Sequence, residues 1–391
     1  MQKRLQLLLA LLAFVVTSAM AQITTSGISG KISSNGETVI GATVTATHQP
    51  SGTVYRAVTN VDGRYTIQGM RPGGPYKVSI SYIGYKDKVF NNVSLSLGET
   101  ENISCSLQED AHQLQEVVVS GKAGLAASRT GAATSMTAEQ INNMPSITHG
   151  IADVARLNPQ LIVTNSGNMS FAGTNNRYNN FMIDGAANND VFGLASSGNN
   201  GGQAGAQPVS METIEQIQVS VAPFDVRQSG FTGGAINAIT KSGTNKFHGS
   251  AYYYGYNQDL IGTKYPYLDG TGYAPKYQKQ TQYNMGVTLG GPIIKNKLFF
   301  FANYERTNKE YPNLYGVDSG NSKVNTEQAK DILTMLQKMA EKQGVAFNDY
   351  FSNQDIYTKS DKAGLKLDWN INEFNKFAIR WSLVKAEQLS G

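Results

Sequence analysis

The sequence predicts a multi-domain, mainly β chain: a β-sandwich, then an α+β unit, then the first strands of an antiparallel transmembrane β-barrel. Three observations predict it. Apolar and polar residues alternate with period two through most of the apolar runs, which is the strand period. Charged residues are scarce at 16%, while Gly (40) and Tyr (20) are abundant, which favours sheets with many turns over a helical enzyme. Past Phe247 the alternating runs lengthen and become far more aromatic, so a second kind of sheet begins there. The formal charge of +4 lies along the chain without a basic block, which argues against nucleic acid as a partner.

Residues 1–21 read as a secretory signal peptide. Lys3 and Arg4 precede an apolar run at residues 5–16, and Ala19-Met20-Ala21 offers the small-x-small cleavage pattern. The apolar run is too short to span a bilayer. A membrane role would therefore rest on a β-barrel, because no later helix is apolar and long enough.

Residues 22–108 read as a small β-sandwich of about seven short strands. Ala42, Val44 and Ala46 alternate with threonines, and Tyr76, Val78, Ile80 and Tyr82 alternate with Lys and Ser. Turn residues punctuate the runs at Asn35-Gly36, Asp62-Gly63, Pro72-Gly73-Gly74 and Gly84. The single cysteine, Cys105, shares a strand face with Ile103 and Leu107 and reads as a core thiol. With one cysteine the fold stands without internal disulfides.

Residues 109–124 read as a linker. Inside it, LQEVVVSG at residues 114–121 is a short β-prone run. It suits strand addition to a partner's sheet edge, and equally the first strand of the next domain.

Residues 125–243 read as the α+β unit. Thr137 with Gln140 forms a capping box that opens a helix, and a second helix over residues 149–157 stops at Asn158-Pro159. Phe181, Met182 and Ile183 make a buried strand that enters an Asp184-Gly185 turn. Residues 196–207, SSGNNGGQAGAQ, read as a mobile loop with nothing to bury. A third helix is expected at residues 212–217, leading into a strand with Ile214, Ile217, Val219 and Val221 buried. Gly230, Gly233 and Gly234 then let the last strands turn tightly.

Residues 244–391 hold the longer strands. Tyr283, Met285, Val287 and Leu289 alternate with Gln282, Asn284, Gly286 and Thr288. Leu365, Leu367, Trp369 and Ile371, and then Phe377, Ile379, Trp381 and Leu383, repeat the pattern. Connections run long, short, very long, short, which is the asymmetry of outer-membrane barrels. The longest, over residues 308–359, is expected to carry an amphipathic helix near residues 326–343, with Ile332, Leu333, Leu336 and Met339 on one side. A soluble sandwich would explain the alternation equally well. It accounts less well for that asymmetry and for aromatic girdles drawn from Tyr252, Tyr253, Tyr254, Tyr256, Phe299, Phe300, Phe301, Trp369 and Trp381.

Catalysis finds no support. The four histidines, His48, His112, His149 and His248, lie far apart without metal-ligand spacing, and no nucleophile elbow occurs. Catalytic residues, a metal and a cofactor are all expected to be none.

The motifs also carry a resemblance. GKI at residues 30–32, IGATV at 40–44, TNVDGRY at 59–65 and VSISYIGY at 78–85 together resemble the carboxypeptidase-regulatory-like domain, an Ig/transthyretin-like β-sandwich. In that family it is an accessory domain, a spacer or a carbohydrate- or protein-binding module. Residues 114–121 resemble the energy-coupling (Ton) box. NFMIDG at 180–185, IEQIQV at 214–219 and GGAINAITKSG at 233–243 resemble a plug domain, and NKFHG at 245–249 with GGPIIKNKLFFF at 290–301 resembles the opening strands of Oar-like TonB-dependent outer-membrane receptors.

The resemblance implies a plugged, energised receptor. Glu116, Val117, Val118, Val119 and Ser120 would engage TonB in the periplasm. Arg177, Tyr178, Asn179 and Asn180 are the candidate contacts for an unknown extracellular ligand, whether metal chelate, glycan, peptide or cobalamin. Outer-membrane lipid would surround the wall, with residues 22–243 periplasmic or inside the lumen. A capping surface lipoprotein is left open, and a non-transporting adhesin or signalling receptor is the rival reading. Family barrels close with about 22 strands, whereas about five are present here, with two edges that lipid would not tolerate. The 391 residues are therefore expected to be the N-terminal part of a longer protein.

Overall fold

A computed structural model describes residues 24–109, 117–119, 132–146, 149–164, 169–190, 192, 195, 197–221, 231–260, 279–313, 325–347 and 355–389. Residues 1–21, read above as a signal peptide, and Glu116, Ser120 and Gly230 lie outside the described residues.

The N-terminal unit is a two-sheet sandwich. Strands β1 (Ser26–Ser34), β2 (Glu37–Thr38) and β5 (Arg64–Met70) form one sheet, with β8 (Thr100–Asn102) and β9 (Cys105–Ser106) added parallel to β1. Strands β3 (Thr43–His48), β4 (Thr53–Val58), β6 (Gly73–Ser81) and β7 (Lys88–Leu95) form the other. Asn35 and Gly36 both take positive φ, 50° and 89°, as a two-residue hairpin with this twist requires. Ala42, Val44, Ala46, Tyr76, Val78 and Ile80 are fully buried between the sheets, so the alternation pointed inward as expected. Ile103 and Leu107 join that core, but Cys105 only borders it, half-buried.

One core group is ionisable. His48 is 5% exposed, packs against the Tyr76 ring at 4.9 Å and meets Ser51 Oγ through Nδ1 at 2.7 Å. Burial, and then the positive charge of Arg71, lower its pKa from 6.5 to about 3. Native His48 is neutral, while the unfolded chain binds its proton near the ordinary pH. Sandwich stability should therefore stay flat above pH 6.5 and fall as pH drops toward 3, losing about 1 kcal/mol by pH 5.5. Amide exchange at Val78 and Ile80, compared between the natural chain and His48→Asn, measures this. An equal acid loss in both would clear His48.

The middle unit is a sheet with two short helices. Strand β11 (Ala132–Thr137) pairs with β16 (Ile214–Val221), β16 with β17 (Gly234–Thr240), β17 with β14 (Asn180–Ile183), and β14 with β15 (Ala186–Ala187). Helix α1 (Ala138–Asn143) starts at the Thr137–Gln140 capping box, and α2 (Ile151–Ala155) sits within the predicted second helix. Phe171, on β13 (Met169–Phe171), the hairpin partner of β12 (Leu161–Val163), packs with Phe181, Ile183, Ile214, Ile217, Val219 and Ile236 in the core.

Three expectations here need correction. The third helix is one 3-10 turn, Met211–Thr213, and Ile214 already begins strand β16. Its β-branched residues and period-two pattern outweigh the helix-forming Glu and Gln. The loop read as having nothing to bury packs: Asn199 and Ala206 are buried, and Gly201 lies against Val384 of the last strand. Small residues suit a loop pressed onto a flat wall. Gly233 and Gly234 do not turn with positive φ. A Cβ at Gly234 would enter the Phe171 ring, so close packing is what requires glycine there.

The last unit is an antiparallel sheet in chain order. It comprises β18 (His248–Asn257), β19 (Thr281–Ile294), β20 (Leu298–Tyr311), β21 (Ile356–Asn370) and β22 (Lys376–Leu389). Four of these strands run 14 or 15 residues, longer than the ten or so expected. The predicted loop helix is present as α3 (Thr326–Gln343), capped by Asn325 and ended by Gly344 at positive φ.

Candidate functional site: the interface between plug and wall

Which way the long sheet faces decides what it is. Across one rung, Leu289 pairs with Ala302, Ala302 with Leu365 and Leu365 with Trp381. Leu289, Leu365 and Trp381 are 51%, 41% and 55% exposed. The polar face looks the other way: Gln282, Glu305, Thr307, Ser360, Lys362 and Lys366 are buried, and Glu305 and Lys366 bond the middle unit. A soluble sandwich would bury the apolar face. A wall with hydrocarbon outside and a polar lumen is built this way.

The aromatic girdle is thinner than expected. Tyr253 faces outward at 67% exposure, but Tyr252, Tyr254 and Tyr256 lie on the alternate, inner face, where their hydroxyls bond Glu305, Glu212 and Gln282. Phe299 and Phe301 are likewise buried inside. Strand alternation splits any aromatic run between two faces.

Two charged clusters fasten the middle unit to this wall. In the first, Glu305 of β20 accepts from Lys362 Nζ of β21 at 2.5 Å, from Tyr252 OH of β18 at 2.6 Å and from Ser210 Oγ at 2.7 Å. Both members of the ion pair are under a tenth exposed. In the second, Asp184 follows β14 at φ 48° and takes Thr240 N at 2.9 Å and Thr240 Oγ1 at 2.6 Å. Lys366 Nζ reaches Asp184 at 3.2 Å and the Thr240 carbonyl at 3.0 Å, and Arg380 Nε lies 3.4 Å from Asp184. Four wall strands and two plug strands are thus joined by charge-assisted bonds. Between the first cluster and helix α2 lies a cavity of about 450 Å³, reached by His149, Asp153, Arg156 and Lys309.

The sandwich also meets this assembly. Gln216 and Gln218 of β16 bond the backbone of Leu95 and Leu97, and Arg56 meets Glu373 in the turn between β21 and β22. No sequence signal marks these glutamines. They alternate with core residues and look like a solvent face.

The predicted site residues fall in two places. Val117, Val118 and Val119 form β10 (Val117–Val119), which runs parallel to β7 at the edge of the sandwich sheet, opposite Lys88, Val89 and Phe90. Arg177 and Tyr178 sit in an exposed 3-10 turn, Asn176–Tyr178. Next to them, Asn179 Nδ2 donates to the Met169 carbonyl and its Oδ1 accepts from Gly234 N. Asn180 is 7% exposed and accepts from Asn189.

Three family models match in order: the Carboxypeptidase regulatory-like domain over residues 27–108, the TonB-dependent Receptor Plug Domain over 126–236, and the Outer membrane beta barrel domain over 239–319. The chain is 29% identical over 273 residues to the TonB-dependent transporter Oar of Myxococcus xanthus, covering 67% of this chain and 24% of that relative. It is 31% identical over 102 residues to a probable TonB-dependent siderophore receptor, PirA, of Acinetobacter baumannii, covering 25% and 11%. Among solved structures, that siderophore receptor aligns with a TM-score of 0.41 at 18% identity, over 66% of this chain and 31% of that one. The outer membrane transporter YddB of Escherichia coli aligns at 0.44 and 15%, over 66% and 33%. The chain therefore spans about a quarter of the length of the Myxococcus relative.

Proposed function

We propose, for a chain that carries a carboxypeptidase regulatory-like domain, a TonB-dependent receptor plug and the opening strands of an outer membrane β-barrel, that the whole protein is an energised importer of the outer membrane. The observation that carries this reading is the inside-out wall, apolar toward solvent and bonded inward to the plug through Glu305–Ser210 and Asp184–Lys366. A porin needs no such plug. A receptor that must hold a gradient-free membrane closed until a ligand arrives does.

In this reading a ligand too large or scarce for open pores binds on the outer side, where Arg177 and Tyr178 offer hydrogen bonds and a stacking face. Asn179 and Asn180 hold the loop that presents them. Binding shifts the plug and frees residues 116–120 in the periplasm. TonB then pairs with Val117–Val119 by strand addition, flanked by Glu116 and Ser120, and pulls with inner-membrane energy. The chain acts by moving solute and not by catalysis, as the names of its relatives also suggest.

Deletion of residues 114–121 from the full-length protein tests this. Cells should keep surface binding of whichever compound supports growth in a panel of ferric chelates, cobalamin, oligosaccharides and peptides, and lose its accumulation. Unchanged accumulation would sink the importer reading.

A further inference from the structure

Transport in this reading must separate plug from wall, and the sandwich is bonded to both. On the plug side, Leu97 N donates to Gln216 Oε1 at 2.8 Å, Gln216 Nε2 to the Leu95 carbonyl at 3.0 Å and Gln218 Nε2 to the Leu97 carbonyl at 3.1 Å. On the wall side, Asn245 N donates to the Pro50 carbonyl at 2.9 Å, and Asn370 Nδ2 to Thr53 Oγ1 at 2.9 Å. Arg56 reaches both Glu373 oxygens at 2.6 and 2.7 Å, and Lys376 Nζ stands 3.3 Å over the Tyr55 ring. The wall contacts come from three turns or strand ends at one rim of the sheet: 241–247, next to β18, and both ends of the β21–β22 turn. Any shift of plug against wall must therefore break one set of bonds or the other.

The two sets differ in strength. Gln216 and Gln218 are 1% and 8% exposed, so their three bonds are shielded from water and reached by it only if the whole face opens. Arg56 and Glu373 are half exposed, at 53% and 51%, and such a pair contributes little. The wall side is the one that parts.

The path of the pull points the same way. Val117–Val119 lies on the sandwich's own sheet. From Glu109 to Val117 the chain can reach about 28 Å, whereas from Val119 to Ala132 it can reach about 45 Å. A pull on the valines, once they leave β7, loads the sandwich through the shorter tether.

We propose that the sandwich is a clamp between plug and barrel wall, and that it takes the pull on residues 117–119 first, parting from the wall turns before the plug moves. This rests on the reading that energy arrives at those valines, so the test uses two handles. Full-length protein with Cys105→Ser, Thr53→Cys and Asn370→Cys is placed in a supported bilayer, and the two new thiols are bridged by a short, reducible bis-methanethiosulfonate linker. Force is applied through TonB's periplasmic domain, and separately through a covalent handle clicked to an azido side chain at Ser120.

Unbridged protein should extend in two steps, a short one as the clamp leaves and a long one as the plug follows. Bridging should abolish the long step, and dithiothreitol should restore it. Plug extension of equal length at equal force in bridged protein overturns the clamp. Two steps with the covalent handle, but no tether through TonB's domain, would support the clamp while removing the coupling role of residues 117–119.

Discussion

Lys362→Met should loosen the plug from the wall by about 3–5 kcal/mol, the largest effect expected of any single side chain at the interface. The reason lies with its partner. Glu305 is 6% exposed, and its carboxylate faces Lys362 on one oxygen and Tyr252 and Ser210 on the other. Methionine fills the space of the lysine stem but leaves that charge buried with neutral donors alone. Adding Glu305→Gln removes the charge and keeps an oxygen for Tyr252 and Ser210. The double variant should therefore regain most of the loss, because breaking a buried pair costs far more than replacing it. Amide exchange of Ile214–Val221 in the full-length protein, followed through a urea titration, reads the effect. If the double variant stays as loose as Lys362→Met, lost packing and not stranded charge is the cause.

Leu365→Arg should destabilise the folded wall by about 2–4 kcal/mol in a bilayer if its rung lies near the midplane. Leu365 is outward, level with Leu289, Ala302 and Trp381. An arginine there has only hydrocarbon to meet. Asn284→Arg, two strands over on the inner face beside the cavity, should cost far less, since its charge meets water and carboxylates. Folded fraction against urea in lipid vesicles, for both variants of the full-length protein, gives the comparison. Equal costs would mean that the sheet's apolar side does not face lipid.

That second prediction also marks where reading residues in a line runs out. Period two at Tyr283–Leu289 shows that the strand has two unlike faces, but alternation is symmetric and carries no sign. The soluble and membrane alternatives share one pattern, and they separate only when Gln282 and Lys362 are found buried and Leu289 exposed. The four tyrosines at 252–256 mislead for a related reason. Composition pools them, while geometry gives three to the lumen and one to the outside. Residues 212–217 failed as a helix because Glu and Gln carry helical propensity, whereas their burial against Leu95 and Leu97 is a long-range fact. Local chemistry did better where it acts alone. The Thr137–Gln140 box, the Asn35-Gly36 hairpin and the Thr326–Gln343 helix all stand where capping and turn residues put them. The clamp contacts join residues more than a hundred positions apart and leave no local trace.

The polar lining of the wall bears on how often such a machine can be used. The plug keeps its greasy residues, Phe171, Ile217 and Ile236 among them, sealed within its own core, and meets the wall through carboxylates, ammonium groups, hydroxyls and a cavity able to hold water. Water can replace each of those partners as the two surfaces slide apart. In the importer reading the contact would behave as a wet bearing, tight at rest and with little apolar surface beyond Phe299 and Phe301 to uncover when the plug is drawn aside. Return to the closed state then needs only the same bonds to find one another again.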